Sequence, residues 1–133
     1  MFARMNHHLV GMLQRHIQSN FAEQGYETKM SPEIEMDHPD GRTLKINPAM
    51  AVYAKGSDKP AMLVDVDIQA CGRQEYFTER VQAYEAAQIP EHWLFFTKDH
   101  IIVVRRLGED GYGKPKIHGE EELLVPGGIF PEI

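Results

Sequence analysis

The segment from Ala61 to Gln69, AMLVDVDIQ, alternates between two kinds of side chain along its whole length. Successive side chains of a β-strand point to opposite faces of the sheet, so this alternation predicts a strand with two unlike faces. One face would carry Met62, Val64, Val66 and Ile68, and the other Leu63, Asp65, Asp67 and Gln69. Any fold of this chain must therefore bury the first face and accommodate two aspartates on the second.

Two stretches have helical rather than strand periodicity. Apolar residues recur at intervals of four near the N-terminus, on one face of an α-helix, at Leu9, Leu13, Ile17 and Phe21. We expect this helix to span Asn6 to Gln24 and to end at Gly25. A second helix is predicted from about Gln74 to Gln88, because an apolar face recurs there and Pro90 follows it.

Turn sequences separate the remaining segments, which have β-strand character. HPDG, GSDKP and TKDH each favour a tight change of direction. The stretch from Arg42 to Lys55 predicts two strands divided by Pro48. A hairpin is predicted from HWLFF and HIIVVRRL, and a last short strand from EELLVPGGIFPEI. This order is typical of an α/β or mixed α+β domain whose central sheet is flanked by helices.

The bulk composition narrows the class of protein. A length of 133 residues fits one domain over residues 1–133, and the lone Cys71 cannot form an intramolecular disulfide. No apolar run reaches the ~18–20 residues of a membrane span, and the N-terminus lacks a secretory pattern, so we expect a cytoplasmic protein without a membrane segment. Lys and Arg number 14 against 20 Asp and Glu, and this net charge of −6 argues against a generally basic, nucleic-acid-coating surface.

Asp65 and Asp67 admit two interpretations. Their Cα atoms would lie ~6.6–6.8 Å apart on one face, a spacing that lets two carboxylates hold one hard cation such as Mg²⁺. A cation so held can generate a hydroxide nucleophile and neutralise charge on a phosphodiester. Alternatively, both aspartates face water, which is the commoner arrangement for an isolated pair. Asp is depleted in strands, so two within one strand favour the metal site slightly.

Two segments resemble a known family. KPAMLVDVDIQ and TERVQAYEAAQIPEHWLFF are similar to the signature of the Uma2-like proteins, also called DUF820, which belong to the PD-(D/E)xK restriction-endonuclease-like superfamily. The most specific part is PEHW, with Tyr84 nine residues before Trp93, and the similarity extends over most of the chain. It implies a restriction-endonuclease-like core with a C-terminal β-hairpin, DNA cleavage with Mg²⁺ or Mn²⁺, and a homodimer.

The family's site residues carry over only in part. The resemblance assigns the strand acid to Asp65, with Asp67 as the alternative phasing, and both as metal ligands. The superfamily lysine position then becomes Asp67, or Gln69 under the alternative. Arg80 matches a basic residue four positions before the helix tyrosine, and the family's first-helix histidine is His7 or His8.

Two positions depart from the pattern. Ala49 stands where the family has its first metal-binding aspartate and supplies no oxygen. The superfamily's lysine position is occupied by an acidic or an amide side chain, Asp67 or Gln69. Arg80 cannot replace the lysine as a general base, because the pKa of a guanidinium is too high for it to lose its proton. Two hypotheses follow. The first is a degenerate site in a protein with a binding or regulatory role related to DNA. The alternative is an active nuclease that uses Asp65, Asp67, Gln69 and Arg80. Glu33, Glu35 and Asp58 are the candidate replacement carboxylates. In VVRRL, only one of the adjacent Arg105 and Arg106 can face a bound phosphate.

Overall fold

The computed structural model describes the backbone of residues 2–67, 74–125 and 127–133. It describes the side chains of these residues except those of 2–9, 22 and 74–76. The helices are α1 (Phe2–Phe21) and α2 (Gln74–Ala86), and short 3₁₀ turns span Ala22–Gln24 and Glu120–Leu123. The strands are β1 (Glu27–Met30), β2 (Ile34–Asp37), β3 (Thr43–Ile46), β4 (Met50–Tyr53), β5 (Pro60–Asp67), β6 (Glu91–Phe96), β7 (Ile101–Gly108), β8 (Gly111–Tyr112) and β9 (Lys116–Gly119). The chain is thus a mixed α+β domain, as the sequence predicts.

The central sheet has the strand order β1-β4-β5-β6-β7, with β8 and β9 both pairing with β7. β5 and β6 run parallel, and the other neighbours are antiparallel. A parallel pair requires a crossover connection, and α2 lies in the one between β5 and β6. β2 and β3 form a separate hairpin, attached to α2 by an ion pair between Arg42 and Glu79. The sheet is therefore mixed, and α2 covers its central strands.

β5 is buried on both faces, and its alternate side chains point to opposite faces as the sequence predicts. Met62 and Val64 pack with α1 residues such as Leu13 and with Trp93 of β6. Leu63 packs on the opposite face, against Tyr84 of α2. We call these the α1 face and the α2 face of the sheet. Because both faces are covered, the two aspartates of β5 lie at the centre of the domain.

Most element boundaries agree with the sequence predictions, with one correction. α1 ends close to the predicted Gly25, which has the positive φ of +82° expected of a glycine beyond a helix. The strand expected in EELLVPGGIFPEI is wrong: Glu120–Leu123 is a 3₁₀ turn instead. The Glu122 carboxylate accepts a hydrogen bond from the Gly119 N–H at 2.8 Å, which caps this turn at its N-terminus. In the described part of the chain, no helix is long and apolar enough to cross a membrane.

Candidate functional site

Asp65 is the centre of a buried polar cluster on the α2 face. Its side chain is only 1% exposed, yet both of its carboxylate oxygens accept hydrogen bonds from the protein. Arg80 Nη1 donates to Oδ1, while the Tyr84 hydroxyl and His92 Nε2 donate to Oδ2 at 2.8 and 3.0 Å. Together these four side chains, Asp65, Arg80, Tyr84 and His92, are named the Asp65 cluster here.

Three elements bring the cluster together. Arg80 and Tyr84 lie one turn apart on α2, so both side chains reach the same strand. His92 comes from β6, where the parallel register pairs it with Leu63 and so places it on the α2 face near Asp65. The cluster thus depends on the crossover that packs α2 over the parallel β5–β6 pair.

The cluster holds Asp65 in its ionised form. Burial alone would raise the pKa of this carboxyl, but the hydrogen bond and charge of His92, with Arg80 and Tyr84, hold the pKa below its ordinary value. The pKa of the Tyr84 hydroxyl is raised, first by burial and then by the negative charge of Asp65. Since a carboxylate can only accept, His92 donates through Nε2–H, and its Nδ1 has no hydrogen-bond partner among the described residues.

The aspartates do not face water. Asp67 is 8% exposed and follows Asp65 on the same strand, and the Thr97 N–H and hydroxyl both donate to its backbone carbonyl at 3.1 Å. Burial of both carboxylates excludes the solvated alternative that the sequence left open. Of the other predicted site residues, Gln69 lies outside the described residues, and so do the side chains of His7 and His8.

Ala49 lies immediately before β4, and its backbone N–H donates to the Val64 carbonyl at 2.8 Å. Its methyl group packs against the apolar cluster on the α1 face, which contains Met50 and Val64. The position to which the sequence resemblance assigns the family's first aspartate therefore packs against the apolar core.

The oxygens around Asp65 do not offer a coordination shell for a divalent cation. Mg²⁺ and Mn²⁺ favour about six oxygen ligands, but the oxygens of Asp65 are already hydrogen-bonded, one of them to the cationic Arg80. Among the side chains that the structure describes, no group of three or more from His, Cys, Asp and Glu is arranged to hold a metal. The candidate replacements lie elsewhere: Glu33 and Asp58 are exposed outside the strands, and Glu35 pairs with Lys45 on the β2–β3 hairpin. As arranged here, the site does not fit the cation.

Sequence reasoning missed two members of the cluster. The sequence patterns assign a role in the site to neither Tyr84 nor His92. The spacing of four between Arg80 and Tyr84 was an available signal, because it places both side chains on one helix face. His92 could be found only from the register of the parallel β5–β6 pair, which joins residues far apart in the chain.

A second polar cluster lies on the α1 face. The Glu91 carboxylate is buried and accepts hydrogen bonds from Trp93 Nε1 at 2.6 Å, Arg106 Nε at 2.9 Å and the Glu132 N–H at 2.9 Å. Burial raises the pKa of Glu91, against the opposing effect of Arg106. Arg106 also donates to the Phe130 carbonyl at 2.7 Å. This cluster fastens residues 130–132 to the sheet.

A solved structure has a fold similar to that of this chain. The chain superimposes on a protein from Anabaena variabilis, described as a "putative nuclease belonging to DUF820", with a TM-score of 0.62 and 11% sequence identity. The match covers 93% of this chain and 70% of the Anabaena chain. This chain has the fold of a DUF820 protein. No family model and no curated protein matches its sequence.

The likeness to DUF820 extends what the sequence motifs implied. The mixed α+β core with a central mixed sheet, expected from the sequence, is confirmed, and it matches the fold of the Anabaena protein. At 11% identity the agreement concerns the backbone, so the chemistry of the site depends on the side chains described above.

Proposed function

We propose that this chain is a nuclease-fold protein that has lost metal-dependent cleavage and acts by binding, with nucleic acid as its partner. One observation carries the proposal: both oxygens of the Asp65 carboxylate are engaged by Arg80, Tyr84 and His92. The guanidinium of Arg80 supplies the positive charge that a divalent cation would otherwise provide to this carboxylate. The fold shared with the Anabaena protein, which is described as a "putative nuclease", supports this class of partner.

The energetics of the cluster support a structural role for Asp65. Removal of one partner from a buried ion pair is strongly destabilising, because the other charge is left without compensation. A metal ion at Asp65 would have to displace Arg80 and leave that guanidinium, itself only 8% exposed, among buried groups. Ala49 provides no additional ligand to offset this cost.

The proposal is tested by measuring metal binding and DNA cleavage in parallel. Calorimetric titration of the purified protein with Mn²⁺ should show no stoichiometric binding, and supercoiled plasmid should stay intact with Mg²⁺ or Mn²⁺. Asp65→Asn and Asp67→Asn are the matched variants, since any nicking that persists in both comes from a contaminant. Mn²⁺-dependent cleavage by the wild type that either variant abolishes while still folded would overturn the proposal.

An active nuclease is the second candidate. It is favoured by the position of Asp65 and Asp67, two buried carboxylates on one face of a central strand, in a fold shared with a protein described as a nuclease. It requires Arg80 to release Oδ1 of Asp65, and the same cleavage assay decides between the two functions.

Homodimerisation stays a prediction, which sedimentation equilibrium tests.

A further inference from the structure

The segment that follows Gly128 is attached to the domain in the way that a bound peptide is attached to its receptor. It forms no helix or strand, and every hydrogen bond that the structure describes for it runs to a side chain of another element. The carbonyls of Ile129 and Phe130 accept bonds from His16 Nε2 of α1 and Arg106 Nη2 of β7, and the N–H of Glu132 donates to Glu91 of β6. Because these bonds recognise backbone groups, they do not depend on which copy of the chain supplies the segment.

Apolar contacts complete the attachment. The Ile129 side chain is 7% exposed and belongs to the apolar cluster of the α1 face, and Pro131 is also buried. The Phe130 ring stacks on His16, with 4.4 Å between the ring centroids and 7° between their planes. We name residues 129–132 the arm, and His16, Glu91 and Arg106 the socket. The socket therefore matches a short extended segment in which an aromatic residue follows an apolar one.

A glycine turn directs the arm back to its own domain. Gly127 has a φ of +77°, and the Gly128 N–H donates to the Val125 carbonyl at 3.1 Å, which closes the turn. A Cβ atom at Gly128 would overlap the carbonyl of Glu122, so the chain passes close to the preceding 3₁₀ turn. Both positions therefore need glycine. A residue without this freedom would extend the hinge at 127–128 and carry the arm away from its own socket.

Two exposed apolar side chains precede this hinge. Leu124 is 68% exposed and Val125 is 48% exposed, and they are consecutive in the chain. In a reciprocal exchange of arms about a twofold axis, the two hinges lie side by side, so each of these side chains would meet its counterpart in the other copy. Apolar surface that faces water in one copy would then be buried between two copies.

We propose that the socket of one copy accepts the arm of a second copy, so that two chains exchange arms and form a dimer. Exchange preserves every contact of the arm, because the same side chains meet the same segment. Its cost is the freedom that two chains lose on association. Burial of Leu124 and Val125 and release of the glycine turn offset that cost. The arm and the socket are separate from the Asp65 cluster, so this inference goes beyond the proposed function and does not depend on it.

Sedimentation equilibrium of two matched glycine variants tests the exchange. Gly127→Val places a β-branched residue at a positive φ, which strains the closed turn and favours an extended hinge. Gly56→Val is the control, because Gly56 has the same φ of +77° in the β4–β5 turn, and a Cβ atom at either glycine meets no other atom within 4 Å. We expect dimerisation about tenfold tighter in Gly127→Val than in the wild type, and no change in Gly56→Val.

A labelled synthetic peptide with the sequence of residues 127–133 identifies the surface that the chains use. The whole chain carrying Ile129→Asp, whose own arm would have to bury a charge, should bind this peptide in a fluorescence anisotropy titration. Adding His16→Ala should weaken that binding about tenfold, because the stacking partner of Phe130 is lost. An excess of unlabelled peptide should also dissociate the Gly127→Val dimer. Phe130→Ala, at a partly exposed position, replaces Ile129→Asp if circular dichroism shows that Ile129→Asp is unfolded.

Three results would overturn the proposal. A folded Gly127→Val that associates no more tightly than Gly56→Val would show that the hinge does not control association. A dimer that excess peptide leaves intact would show that the chains associate through another surface. Folded arm variants that do not bind the peptide would show that the socket accepts the arm only within one chain, and this measurement decides alone if Gly127→Val does not fold.

Discussion

Arg80 of α2 and Asp65 of β5 form a buried ion pair at the centre of the domain, with Nη1 of the arginine donating to Oδ1 of the aspartate. The side chains are 9% and 1% exposed, so water contributes little to solvating either charge. Tyr84 and His92 satisfy the second oxygen. The pair therefore links the crossover helix α2 to the central strand β5.

Asp65→Asn should destabilise the protein strongly. The substitution removes the negative charge that pairs with the buried Arg80 guanidinium, and breaking a buried pair in this way costs about 3–5 kcal/mol. Urea denaturation at pH 7, followed by circular dichroism, measures the change in the free energy of unfolding. Asp58→Asn, at an exposed position in the β4–β5 turn, should change it by less than about 0.5 kcal/mol. Equal stabilities of the two variants would contradict a structural role for Asp65.

The stability gap between wild type and Asp65→Asn should depend on pH. The folded-state pKa of Asp65 lies below its unfolded value of about 3.9, so its contribution is present above that pH and is lost as the pH falls through the folded-state pKa. The gap should be largest near neutrality and shrink below about pH 4. Glu91, whose pKa is raised, has the opposite effect, but it titrates in both proteins and cancels in the difference. A gap that widens towards acid pH would contradict the assignment.

Tyr84→Phe and Tyr112→Phe form a matched comparison. The Tyr84 hydroxyl donates to the ionised Asp65, whereas the Tyr112 hydroxyl donates to the neutral Ile89 carbonyl, both at 2.8 Å. A hydrogen bond to a charged group contributes about 1.5–3 kcal/mol, against about 0.5–1.5 kcal/mol for a neutral pair. Chemical denaturation of the two variants should therefore show the larger loss for Tyr84→Phe. The reverse order would indicate that Asp65 is not ionised in the folded protein.

Ala49→Asp should not restore a metal site, although it restores the family's residue. The methyl group of Ala49 packs against apolar side chains of the α1 face, whereas Asp65 faces α2. A carboxylate introduced there is partly buried without a partner, and we expect a loss of about 1–3 kcal/mol in unfolding free energy. Thermal denaturation with and without Mn²⁺ measures both effects. A rise in melting temperature with Mn²⁺, specific to this variant, would show that Ala49 alone disables the site.

The sequence was most informative where local patterns determine the structure. The alternation in AMLVDVDIQ placed Asp65 on the face opposite to Met62 and Val64, and this division is confirmed. Identification of His92 as a partner of Asp65 required the register of two parallel strands, which no local pattern encodes. The strand expected after Lys116–Gly119 failed because the Glu122 side chain caps a 3₁₀ turn there, an interaction that competes with extended structure.

Glu91 and His92 are consecutive residues of β6 that project to opposite faces of the sheet, each into its own buried polar cluster. A slip of β6 by one residue would exchange the two faces and separate both side chains from their partners. Apolar neighbours tolerate such a shift more readily, because they contact one another without directional bonds. Glu91 and His92 together therefore fix the register of β6 against β5 through polar contacts on both faces of the sheet. Hydrophobic burial alone would allow other registers.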